Sequence, residues 1–157
     1  MLLVFDLIAV GYRHGLYVLF GLVFVAVSVG LVILEYPPPP AGKKGARLFG
    51  WFFASFATIL TAAFAISTYS EYAKLRDAMR RGETQFVEGP VEGFVPMPAS
   101  GHAMERFEVH GKTFAYSDYV LSAGFNTTTS HGGPIRDGRR VRVGYIRDTI
   151  VRLEVAP

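Results

Sequence analysis

Two stretches of this chain, 15–34 and 48–69, are apolar almost without interruption and contain no charged side chain. At about 1.5 Å per residue each makes a helix of roughly 30 Å, the thickness of a bilayer's hydrocarbon layer. In 157 residues too little chain remains to wrap two wholly apolar helices inside a soluble core. Both are therefore expected to cross a membrane as a hairpin. Residues 1–14 are apolar apart from Asp6, Arg13 and His14. They lack the basic start and the cleavage site of a signal peptide. They are read as an interfacial helix, with an N-terminal extension of the first span as the alternative.

The connection 35–47, EYPPPPAGKKGAR, contains four consecutive prolines, which stop a helix and favour an extended segment. After Tyr69 the pattern becomes amphipathic. Over 70–82, Tyr72, Leu75 and Met79 recur at helical spacing, with basic residues elsewhere and Gly82 as the stop. From residue 83 to 157 the period changes to two. The runs 84–95, 104–110, 112–117, 140–145 and 150–155 are rich in β-branched and aromatic residues. His110-Gly111, Asp137-Gly138 and Arg147-Asp148 supply the turns. Val141, Val143 and Tyr145 share one face, as do Val151, Leu153 and Val155, while Arg140, Arg142, Arg152 and Glu154 point the other way. The expected architecture is α+β: a two-helix transmembrane hairpin followed by a small antiparallel β-domain, either a bent sheet or a partly open barrel.

Charge and small residues refine this picture. The net charge is +3 and there is no cysteine, which removes disulfides and thiol chemistry. In a hairpin, Arg13, Lys74, Arg76, Arg80 and Arg81 share one side and Lys43, Lys44 and Arg47 the other. Five against three places both termini, and the β-domain, in the cytoplasm of a bacterial inner membrane. Gly50, Ala54, Thr58 and Ala62 form a small-residue series along the second span, and Ala26 and Gly30 a shorter one along the first. Such series permit close helix packing, within the hairpin or against a partner. The spans' polar residues, Ser28, Ser55, Thr58, Thr61, Ser67 and Thr68, can bond their own backbone carbonyls. They do not make an ion pathway.

Candidate chemistry concentrates in 124–138, GFNTTTSHGGPIRDG. It has no lysine after its glycines and precedes a strand, so it is not a phosphate-binding P-loop. Ser130-His131 stands outside the GxSxG pattern of a nucleophile elbow. His102, His110 and His131 with Glu105 or Glu108 have suitable metal-ligand chemistry, but no HxH, HxxH or HExxH spacing. The pattern thus assigns no catalytic, metal or cofactor residue. Arg136, Arg139, Arg140, Arg142, Arg147 and Arg152 form a basic series, and Glu88, Glu92, Glu105, Glu108 and Glu154 are available to pair with it. Arg136, Arg139, Arg140, Arg142, Arg152 and His131 are the expected contact surface. The expected partners are the lipid bilayer and a protein, or a second copy, met through the helices or the β-domain. The absence of an RNP-type aromatic signature speaks against nucleic acid.

VEGPVEGF at 87–94, ERFEVHGKTFAYS at 105–117 and DGRRVRVGY at 137–145 carry a strand–glycine–strand cadence. In this, about half of the chain resembles uncharacterised small bacterial membrane proteins that pair one or two spans with a compact β-domain. The resemblance implies an anchored β-module and transfers no site residue. Two functional expectations follow. One is a non-enzymatic interaction module or accessory subunit of a membrane complex. The other is a small ligand-binding or enzymatic domain with its site in 124–136.

Overall fold

The computed structural model describes residues 1–33, 44–98, 101 and 103–157. Residues 34–43, with the prolines of the expected 35–47 connection, and His102 lie outside the described residues, whereas 44–47 already belong to the second long helix. The chain is α+β, with two long helices and two antiparallel sheets. It forms two compact units, residues 13–70 and residues 1–12 with 71–157.

The first unit consists of α2 (Gly15–Ile33) and most of α3 (Lys44–Arg80), numbered after a short α1 (Leu7–Val10). Both are long and apolar enough to cross a membrane. The less exposed positions of the first helix and its approach include His14, Val18, Gly21, Val25, Ser28 and Val32. In α3 they include Gly50, Ala54, Ala57, Thr61, Phe64 and Thr68. Both series alternate steps of four and three, the 3.5-residue period of two helices that stay in contact while coiling around each other.

The glycines permit the closest approaches. A Cβ on Gly21 would fall 2.7 Å from Thr61 Cγ2, and one on Gly50 2.7 Å from Val32 Cγ2. These two pairs set an antiparallel register. The small-residue series expected at Gly50, Ala54, Thr58 and Ala62 divides accordingly. Gly50 and Ala54 belong to the seam, whereas Thr58 and Ala62 are exposed. Each step of four overshoots a full helical turn by about 40°, so a strict four-residue series walks off the face. Hydroxyl groups are satisfied locally: Ser28 donates to Phe24 O, Thr58 to Ala54 O and Thr68 to Phe64 O, each at 2.8 Å. Large apolar side chains face outward, among them Leu16 (78% exposed), Phe20 (74%) and Leu48 (74%).

Among the described residues the second unit has seven strands: β1 (Leu2–Asp6), β2 (Gln85–Pro90), β3 (Glu92–Val95), β4 (Glu105–Val109), β5 (Lys112–Tyr116), β6 (Arg140–Ile146) and β7 (Thr149–Val155). The sheet orders are β1-β7-β6-β2 and β3-β4-β5, all antiparallel. The chain passes from one sheet to the other at buried Val91. Its N–H donates to Arg139 O (2.9 Å) and its carbonyl accepts from Gly138 N–H (2.8 Å). The expected alternation is present. Val141 pairs with Val155 and Val143 with Leu153, all buried, and Arg142 pairs with Glu154 on the opposite face. His110 (φ 47°) and Gly111 (φ 80°) make the two-residue β4–β5 turn, both in the left-handed region that such a hairpin requires. The amphipathic end of α3 lays Tyr72, Leu75 and Met79 on the β core. It stops at Gly82 (φ 76°), where Glu83 N–H reaches back to Ala78 O at 3.1 Å.

The N-terminal segment differs from the expectation of an interfacial helix. Residues 2–6 are an edge strand on β7, with Leu2 opposite Val155 and Asp6 opposite Arg152. Phe5 and Leu7 enter the core. Only 7–10 are helical, and Asp6 caps that turn by accepting from Ile8 N–H (2.9 Å) and Ala9 N–H (3.1 Å). A continuous apolar run carries no period to separate strand from helix. The deciding partner, β7, lies at the other end of the chain.

Candidate functional site

The fifteen-residue stretch beginning at Gly124 is built around a buried carboxylate. Glu105 opens β4, and its alternation with Phe107 and Val109 directs it inward, where it is fully buried. Its Oε2 accepts from the Tyr116 hydroxyl at 2.6 Å, the cross-strand neighbour in the β4–β5 ladder. Its Oε1 accepts from Thr129 N–H at 2.9 Å and Met97 N–H at 3.3 Å, and the Thr129 hydroxyl lies 3.3 Å from Oε2. Burial, followed by the Glu105 hydrogen bond, pushes the Tyr116 hydroxyl well above its ordinary pKa. The phenol therefore stays a proton donor.

Glu105 thereby pins the start of a single helical turn, Thr129–His131. Buried Thr128 precedes it, and the Thr128 carbonyl accepts from both His131 N–H (3.0 Å) and Gly133 N–H (2.7 Å). Gly132 (φ 84°) reverses the chain. Arg136 holds the far side, its Nη1 donating to Gly133 O (2.7 Å), Ile135 O (2.6 Å) and the Thr129 hydroxyl (3.1 Å).

This scaffold brings His131 onto Asp118, with Nδ1 against Oδ2. The Thr128 hydroxyl donates to the same oxygen at 2.7 Å and lies 2.9 Å from Ser130 Oγ and 3.3 Å from His131 Nδ1. Partial burial opposes ionisation of Asp118, but the hydrogen bonds from Thr128 and His131 more than offset it, and its carboxyl titrates below the usual range. A depressed folded-state pKa contributes stability that is complete above the unfolded value, near 4, and is lost as pH falls through the lower folded value. Thermal unfolding midpoints measured down through that acid window should therefore fall more steeply for the native chain than for Asp118→Asn.

The chemistry open to this cluster follows from which nitrogen is engaged. An acyl-transfer triad needs the carboxylate on one imidazole nitrogen and the nucleophile on the other. Here Ser130 Oγ approaches the same Nδ1, at 3.4 Å, that faces Asp118. Ser130 is not placed as a nucleophile. What the geometry provides is an oriented, 62%-exposed imidazole. Beside the loop a cleft of about 250 Å³ is lined mainly by Met104, Tyr116, Val120, Phe125 and Ile150. Among the described residues no group of three or more histidines and carboxylates is arranged to hold a metal ion.

The arginines of the expected contact surface separate into two environments. Arg136 turns into its own loop, and Arg139 donates to Ala156 O (3.1 Å) and Pro134 O (3.2 Å). Arg140, Arg142 and Arg152 lie along the outer face of the larger sheet among carboxylates. Arg140 is 3.3 Å from Glu88 and Arg142 is 3.9 Å from Glu154. Arg152 is 2.9 Å from Glu154 and 3.5 Å from Asp6. Arg142 also covers the Phe86 ring. The residue pattern carries no site signal for Tyr116, Asp118 or Thr128, and in it Glu105 stands only as a pairing partner for the arginines or a metal-ligand type. Comparison with protein-family models, curated proteins and solved structures finds no match.

Proposed function

We propose that the chain is a multi-pass protein of a bacterial inner membrane whose β-domain serves, without catalysis, as an interaction module or accessory subunit on the cytoplasmic side. The supporting observation is an inversion of hydrophobicity between the two units. The β unit buries Phe107, Phe114, Val141, Val143 and Leu153, whereas residues 13–70 turn Leu16, Phe20, Leu48, Phe52 and Ile66 outward. Only a thin seam of the hairpin is covered. Leaving the rest in water would cost roughly 1.5–3 kcal/mol per large side chain, whereas lipid accepts it. Arg140 and Arg142 offer an exposed basic edge to a partner, with Glu88 and Glu154 keeping it from being a general anion trap.

The absence of cysteine makes the orientation measurable. A single cysteine at exposed Ser130, treated with a membrane-impermeant maleimide, is expected to label only after lysis. Labelling in intact cells with a permeable outer membrane would reverse the orientation. Cross-linking from the β-domain is expected to capture one reproducible protein. Arg140→Glu with Arg142→Glu should weaken that capture, and an unchanged yield would remove this face from the reading. The oriented imidazole supports a second reading, a small ligand held by the 124–136 loop. His131→Ala then abolishes binding with the fold intact, and an unchanged ligand profile ends it.

A further inference from the structure

A groove of about 370 Å³ lies within the β unit, between the end of α3 and the β6–β7 turn. Its apolar floor is Leu75, Ala78 and Ile146, and its charged wall holds Lys74, Arg81 and Arg147 with Glu71 and Glu83. Glu71 bonds outside the groove and Glu83 bonds within its wall. Glu71 accepts from the Ser122 hydroxyl and Ala123 N–H, both at 3.3 Å. Glu83 pairs with Arg81 at 2.5 Å and also feels Arg147. Three cations thus face two carboxylates, so the wall is net positive, and Lys74 and Arg147 are its exposed cations without an ion pair among the described residues.

Arg147 adds a second, independent observation. It occupies φ 56° in the two-residue turn closed by the Ile146–Thr149 pair. Glycine would adopt that backbone freely, whereas a side chain is strained there. A strained residue that also lines a groove is a candidate for function rather than for stability.

We infer that this groove binds the phosphate of an anionic phospholipid headgroup between Lys74 and Arg147, a reading that rests on membrane insertion of the hairpin. A lipid fits better than a free phosphate for two reasons. The apolar floor suits the glycerol and upper acyl region of an amphiphile, and free phosphate has no use for it. Lys74 also follows Tyr69, the last residue of the apolar run, by five positions in the sequence, the place of a juxtamembrane cation that anionic headgroups attract.

The test uses the full chain in neutral detergent, titrated calorimetrically with short-chain phosphatidylglycerol, the matched phosphatidylcholine and inorganic phosphate. Phosphatidylglycerol is expected to bind at least about tenfold more tightly than either of the others. Lys74→Gln with Arg147→Gly should lower that affinity roughly thirtyfold, without lowering the thermal midpoint. Equal affinity for the two lipids, or an unchanged variant, would overturn the inference. Inorganic phosphate binding as tightly as the lipid would also overturn it, in favour of a soluble-anion site. Carbonate extraction of the same protein separates the two levels of argument. Release from membranes removes the insertion on which the inference rests, whereas retention without headgroup preference removes the groove alone.

Discussion

Replacing Glu105 by alanine is expected to lower stability by about 4–5 kcal/mol, and by glutamine about 2–3 kcal/mol. With alanine, the Thr129–His131 turn detaches from β4. The carboxylate is fully buried and accepts four hydrogen bonds, two of them from the backbone N–H groups of Thr129 and Met97. Alanine leaves Thr129 N–H and Met97 N–H unsatisfied and opens a cavity beneath Tyr116. Glutamine keeps the volume, and its single carbonyl oxygen serves the two backbone donors best. Its NH₂ then faces the Tyr116 and Thr129 hydroxyls. Those must become acceptors, and the phenolic proton has nowhere to go. At roughly 4–8 °C per kcal/mol for a domain of this size, the alanine variant should melt about 20 °C or more below the native chain. Thermal unfolding followed by near-UV circular dichroism in detergent reads this directly. Equal midpoints for the native and glutamine chains would show that the carboxylate's charge is not what holds the turn.

Much of this was present in the residue pattern, and the part that was not has a common physical cause. Strands β4 to β7 announce themselves because period-two alternation and turn residues are local properties, as at His110-Gly111 and Val141/Val143. The same alternation marks Glu105 as inward-facing, since it shares the phase of Phe107 and Val109. Reading it as a surface partner for arginines gave charge precedence over phase. Tyr116, in phase with Phe114, was legible on the same ground. The Asp118–His131 contact was not legible, because the two stand thirteen positions apart in irregular chain and no local rule predicts that approach. Strand β1 was hidden for a similar reason, its partner being the last strand of the chain. In the hairpin, Gly50 and Ala54 of the four-residue series lie on the seam, and Thr58 and Ala62 lie off it because a seam of two long helices follows 3.5 residues rather than four.

The second large effect is expected two residues beyond the end of the Thr129–His131 turn, where Gly133→Ala should behave very differently from Gly132→Ala. Gly132 has φ 84°, and a Cβ there meets nothing within 4 Å. Its substitution incurs only the left-handed backbone penalty, about 1–2 kcal/mol. At Gly133 a Cβ would fall on the Thr127 carbonyl oxygen and 2.7 Å from that of Thr128. Both obstacles are backbone atoms, so no rotamer change relieves them. The turn must open, and the 2.7 Å hydrogen bond from Gly133 N–H to Thr128 O is lost with it. Thr128 is buried and its hydroxyl bridges Asp118 and Ser130, so opening the turn also withdraws the support that sets His131 against Asp118. A loss exceeding about 3 kcal/mol follows, in the class of overpacked buried sites. Denaturant unfolding of the two variants side by side is the check. If Gly133→Ala loses no more than Gly132→Ala, the backbone is free to yield at this point. The 124–136 loop would then be a pliable connection rather than a rigid seat for the imidazole.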